Sequence, residues 1–125
     1  MLKTLLWVGF VVIALPARAD TSMVQVPATN KDGTPVELDA RLTLPDATSG
    51  VAAPYPAIVL LHGCDGTELN PLNSDGAFIS WPYAFLEVDS FDARGIRHAC
   101  ENYKDINPNL RAKDAHAARA WLAQR

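Results

Sequence analysis

Cysteine occurs only twice in this 125-residue chain and histidine three times. The histidines, His62, His98 and His116, lack the close spacing that metal ligands need, so no metal site is expected from them. Lys and Arg total 11 against 14 Asp and Glu, a formal charge of −3. That balance argues against nucleic acid, which attracts basic surfaces. No internal repeat or low-complexity tract is visible, which sets solenoid folds aside. No Gly-x-Ser-x-Gly elbow or cysteine equivalent appears, so a complete nucleophile motif is missing as well. The amino-terminal apolar run, Leu5 to Leu15, has eleven residues, too few for the roughly 20 that cross a bilayer. No transmembrane anchor is expected.

That run has another meaning. Lys3 forms a short basic region, Leu5 to Leu15 an apolar stretch, and Ala17-Arg18-Ala19 a small-x-small cleavage pattern. Residues 1–19 are therefore expected to be a signal peptide cut after Ala19, giving a periplasmic or secreted protein. Cleavage would remove Lys3 and Arg18 and no acid, moving the formal charge from −3 to −5. Residues 20–125 make at most one small domain.

Val36 to Leu44 alternates with period two, placing Val36, Leu38, Ala40, Leu42 and Leu44 on one face, which predicts a half-exposed antiparallel strand. Met23 to Val26 predicts a weaker strand. Asn30-Lys31-Asp32-Gly33 supplies turn chemistry between them, so a leading hairpin is expected. Ala57 to Leu61 is continuously apolar between Pro56 and Gly63, which suits a strand buried on both faces of a parallel sheet. Ala84 to Val88 reads the same way, with Glu87 discordant. Asn70 to Trp81, interrupted by Pro71 and Gly76, allows only a short, irregular helix. Asn107 as N-cap and Pro108 at the first helical position open a final helix, with Leu110, Asp114, Ala117, Ala118, Trp121 and Leu122 on one side. Together these elements predict an α/β fold with a mostly parallel sheet.

The stretch Pro56 to Gly66, PAIVLLHGCDG, carries the chemistry. Glycines at 63 and 66 tolerate positive φ and let backbone N–H groups approach a ligand. The N–H of Cys64, just past the strand, is then a candidate donor to a developing oxyanion. Asp89-Ser90-Phe91 end the next strand, and ligands in such sheets bind beyond the carboxyl ends of strands.

PAIVLLHGCDG, the segment Tyr83 to Phe91 with Arg94, Gly95 and Cys100, and the pattern Arg111-x-x-Asp114-Ala115-x-x-Ala118-x-x-Trp121-Leu122 resemble the amino-terminal part of dienelactone hydrolase family proteins. The resemblance covers about Val24 to Leu122. It implies a partial α/β-hydrolase-type fold: a leading antiparallel hairpin, then parallel strands with helices, truncated before the nucleophile strand. It further implies hydrolysis of a small carboxylic ester or lactone by a Ser or Cys nucleophile with Asp and His later in the chain, and no cofactor. Only the oxyanion side maps onto this sequence, as His62, Gly63 and Cys64; nucleophile, acid and base are absent. The family's next strand would lie beside Ala57 to Leu61, so these residues alone are expected to have an apolar open edge and marginal stability. Gly76 and Pro82 depart from the family pattern, which has a regular helix and a Gly-Tyr turn there. The alternative to a hydrolase portion is a non-catalytic exported binding or interaction protein derived from the same fold.

Cys64 could itself be tested as a nucleophile, but an elbow needs a small residue two positions before it, where this chain has His62. A Cys64–Cys100 disulfide fits better, because paired cysteines are usual in exported chains. Closing a loop of that length stabilises by about 4 kcal/mol on the chain-entropy account. Asp89 is expected to bond nearby backbone N–H groups rather than to serve catalysis. Asp114 is expected to pair with Arg111 three residues earlier on the helix, and His116 to face solvent.

Overall fold

The computed structural model describes residues 20–46, 49–67, 81–101, 104 and 106–125. Strands β1 (Thr21–Thr29) and β2 (Pro35–Thr43) form the leading hairpin. Its turn is closed by Asn30 N–H to Thr34 O at 2.8 Å, by Asp32 Oδ1 accepting from Thr34 N–H at 3.0 Å, and by Gly33 at φ 86°. These Thr34 bonds hold the exposed Asp32 carboxyl below its ordinary pKa. β1 runs longer than the Met23 to Val26 expected from the sequence. Pairing in register with β2 supplies hydrogen bonds to residues whose own β propensity is modest.

Strands β3 (Ala57–Leu61) and β4 (Ala84–Val88) are parallel to each other, and β4 lies antiparallel to β2. The sheet order is β1-β2-β4-β3. It is a mixed sheet, half hairpin and half parallel pair. β4 has a neighbour on each side and all five of its residues are buried. β3 ends the sheet among the described residues, and its residues are half-buried or exposed rather than enclosed on both faces. The expected helix between Asn70 and Trp81 falls outside the described residues apart from Trp81 itself.

Side-chain alternation puts one row of apolar residues under every strand. Val24, Ala40, Val88 and Leu61 follow one another across the register, and Leu42, Leu86 and Val59 make the next row. Helix α1 (Pro108–Leu122) covers this face, with Ala118 and Trp121 in the same core as Val26, Leu38, Leu86 and Val88. Burying each such aliphatic side chain contributes about 1.5–3 kcal/mol. The helix begins where the sequence places it: Asn107 accepts from Leu110 N–H through its side chain at 3.0 Å, and Pro108 follows.

Glu87, discordant in an apolar strand, lies directly opposite Arg41 and bonds to its guanidinium, with Arg41 Nε 3.0 Å from Glu87 Oε2. A cross-strand partner thus offsets the cost of a buried carboxylate. A second apolar cluster, Phe91, Ala99, Ile106 and Leu110, packs beyond the carboxyl end of β4. The described residues form a small α/β arrangement of one mixed sheet and one α-helix.

Candidate functional site

β3 and β4 run parallel, so both deliver their carboxyl ends to the same side of the sheet. His62-Gly63-Cys64 and Asp89-Ser90-Phe91 leave these ends side by side. A cavity of ≈ 190 Å³ opens there, lined by His62, Gly63, Cys64, Phe91 and Arg111 among others. A wider basin of ≈ 900 Å³ lies by the β1–β2 turn and includes Lys31 and Arg94. No serine or cysteine among the described residues lines it, and Arg94 is committed elsewhere.

His62 is buried, 4 % exposed. Its Nδ1 lies 2.7 Å from Gly63 O, and its Nε2 accepts the Ser90 N–H at 3.0 Å. A carbonyl only accepts, so Nδ1 carries the proton and Nε2 presents its lone pair; the ring is neutral. Burial, the main cause, pushes its pKa below the ordinary value, and the Arg111 cation adds to this. Asp89 Oδ1 sits 3.6 Å from Nε2, beyond hydrogen-bond reach and with no proton between them. Phe91 packs edge-on against the ring at 4.3 Å between centroids.

Ser90, His62 and Asp89 have the residue types of a catalytic triad without its geometry. Ser90 is fully buried and its Oγ has no partner among the described residues. The imidazole nitrogen that would take its proton is capped by Ser90's own N–H. Asp89 instead accepts from the N–H groups of Phe91 at 2.7 Å and Asp92 at 3.1 Å, organising the short 3₁₀ turn Asp92–Arg94. These three residues hold the two strand ends together.

The His62–Gly63 bond has a consequence for the next residue. Gly63 C=O and Cys64 N–H belong to one trans peptide plane and point in opposite directions. With the carbonyl drawn to the imidazole, the Cys64 N–H is turned away from it, and among the described residues it donates to no acceptor. Gly66 adopts φ 88°, and a Cβ on it would meet Arg97 O at 3.2 Å. Gly63, by contrast, has no positive φ and open space where a Cβ would stand.

Cys64 and Cys100 form a disulfide, with their Cα atoms 4.8 Å apart. The Ala99 N–H donates to Cys64 O at 2.8 Å alongside it. The loop is therefore tied to the segment after β4 by backbone and side chain. His98, next to Ala99, and His116 are exposed.

Asp114 does not pair with Arg111. Its carboxylate is held bidentately by Arg94, with both bonds at 2.8 Å. Arg94 spends its remaining N–H capacity on Ser90 O, Thr29 O and Asn30 Oδ1. Arg111, in the first turn of α1 and without that partner, reaches back to His62 O and lies over Phe91 at 5.4 Å. Burial lowers its pKa, and Asp114 opposes that through charge alone. The spacing of three that suggested a local ion pair is real, but a fork-shaped guanidinium from another segment matches the carboxylate better. Arg111 is thus a contributor to the loop that sequence reasoning missed; its signal was a cation on the otherwise apolar side of the helix.

No family model, curated protein or solved structure matches the chain. Fold and site together define a small α/β arrangement with a braced glycine loop at the carboxyl ends of its parallel strands. Among the described residues, no helix is long and apolar enough to cross a membrane.

Proposed function

We propose that this chain is the amino-terminal part of an exported carboxylic ester or lactone hydrolase of the dienelactone hydrolase type, contributing the oxyanion side of its active site. The observation that carries this reading is the braced Gly63–Cys64 peptide. His62 takes the carbonyl, Arg111 takes the preceding carbonyl, and the Cys64 N–H is left without an acceptor among the described residues. A donor held rigid before the reaction costs no reorganisation when charge develops on a carbonyl oxygen, and one such donor is worth about 100- to 1,000-fold in kcat.

The strand arrangement supports the same reading. A leading hairpin, a parallel pair, and β3 at the open side agree with a fold whose nucleophile strand would lie next to β3. The elbow on that strand would bring a Ser or Cys to the carboxyl end of β3, facing the loop. Residues 1–19, outside the described residues, would serve as the export signal, and the disulfide suits an oxidising compartment.

The test is turnover of a short-chain p-nitrophenyl ester. The 125-residue chain alone is expected to show none above the uncatalysed rate, and the polypeptide recovered from its own cells is expected to show turnover. Turnover by the 125 residues alone would place the nucleophile among them and defeat the proposal, as would inactivity of the native polypeptide.

A further inference from the structure

Three donors that metals favour converge beside the glycine loop from two separate segments. Cys64 and Asp65 follow β3, Cys100 follows the 3₁₀ turn, and their ligand atoms all lie within 4.8 Å of one another. Asp65 Oδ1 is 3.0 Å from Cys100 Sγ. A disulfide sulfur carries no proton, so this contact is not a hydrogen bond, and the exposed carboxylate gains little by sitting there. It would gain much more beside two thiolates sharing a cation. The sulfur bond is not the sole tie between the two segments: the Ala99 N–H donates to Cys64 O across them.

We propose that, in its dithiol form, the chain binds one thiophilic divalent cation of the zinc class through Cys64 Sγ, Cys100 Sγ and the Asp65 carboxylate. A dithiol reductant supplies two electrons and two protons: the Cys64–Cys100 bond breaks, two thiols form, and the reductant closes to its own disulfide. The cation then takes the sulfurs as thiolates, releasing two protons to solvent. Zinc accepts thiolate at about 2.3 Å and carboxylate at about 2.0–2.2 Å in a tetrahedral shell, whose fourth position water can fill. His62 does not join, because both of its ring nitrogens are engaged. One cross-link thus replaces another, and the loop stays tied to the segment after β4 in oxidising and reducing surroundings alike. This site stands independently of the hydrolase reading.

The full chain, reduced with dithiothreitol and freed of it anaerobically, would be titrated with Co²⁺. The expected result is a thiolate-to-cobalt charge-transfer band saturating at one ion per chain, removed by Zn²⁺ and absent in the oxidised chain. Asp65→Asn should weaken binding by no less than the about 10- to 100-fold that outer-shell partners command. Absence of the band, an unchanged affinity in Asp65→Asn, or one ion shared by two chains would overturn the proposal. Circular dichroism guards against unfolding on reduction: Zn²⁺ should then restore the folded spectrum in the native sequence and not in Cys64→Ser/Cys100→Ser, and failure to restore it would also overturn the site.

Discussion

His62 spends all its hydrogen-bonding capacity on structure, and the cost of that commitment should be visible in pH. Its folded pKa lies below the ordinary value of about 6.5 because burial disfavours the imidazolium. Above that value both folded and unfolded states are neutral, and the group contributes no pH dependence. As pH falls below it, the unfolded chain protonates first, so stability declines until the folded pKa is passed. Denaturant midpoints should therefore drop between pH 7.5 and pH 5.5 in the native sequence and drop less in His62→Gln; equal drops would show that His62 is not held neutral. Arg94 and Asp114, with side chains 6 % and 1 % exposed, invite a second test. Asp114→Ala leaves a buried guanidinium without its counter-charge and should cost about 3–5 kcal/mol in equilibrium unfolding. A double-mutant cycle should give Asp114 a stronger coupling to Arg94 than to Arg111, and the reverse order would restore the local pairing suggested by sequence spacing.

At the level of elements, the cap of α1 and the side of β3 that is unpaired among the described residues are the features most exposed to experiment. Asn107→Ala removes the acceptor of the Leu110 N–H and should destabilise by about 1 kcal/mol; no loss would mean the cap is replaced by solvent. β3 carries five apolar residues with no charge and no internal proline to discourage pairing with another strand. Leu60→Lys, on the face opposite Val59 and Leu61, should slow aggregation followed by light scattering at equal monomer concentration. An unchanged rate would show that β3 is not the adhesive edge.

The elements were also what the sequence revealed best. Period-two alternation from Val36 to Leu44 and the Asn107-Pro108 start produce strand and helix through local chemistry alone. Asp114's partner was not legible in the same way, because Arg94 lies 20 residues earlier and only the tertiary fold brings it near. Glu87 was legible as an anomaly but not as half of an ion pair, since Arg41 is placed opposite it by strand register. The glycine loop was recognisable from PAIVLLHGCDG, whereas its bracing by His62 and Arg111 depends on where two other elements end.

For the molecule as a whole, the described residues set one α-helix against a four-stranded sheet, and the disulfide spans 36 positions. A core this small gains proportionately from a covalent staple. Reduction without added metal should cost about 4 kcal/mol in denaturant unfolding; a loss near zero would mean the backbone contacts between the two segments suffice. On the proposed function, these residues form the oxyanion half of a larger hydrolase domain. The most direct test of that reading is the intact mass of the native polypeptide isolated from its own cells. A mature species of about 25 kDa, within the range of a complete single domain, is expected. A species consisting of residues 20–125 alone would contradict it.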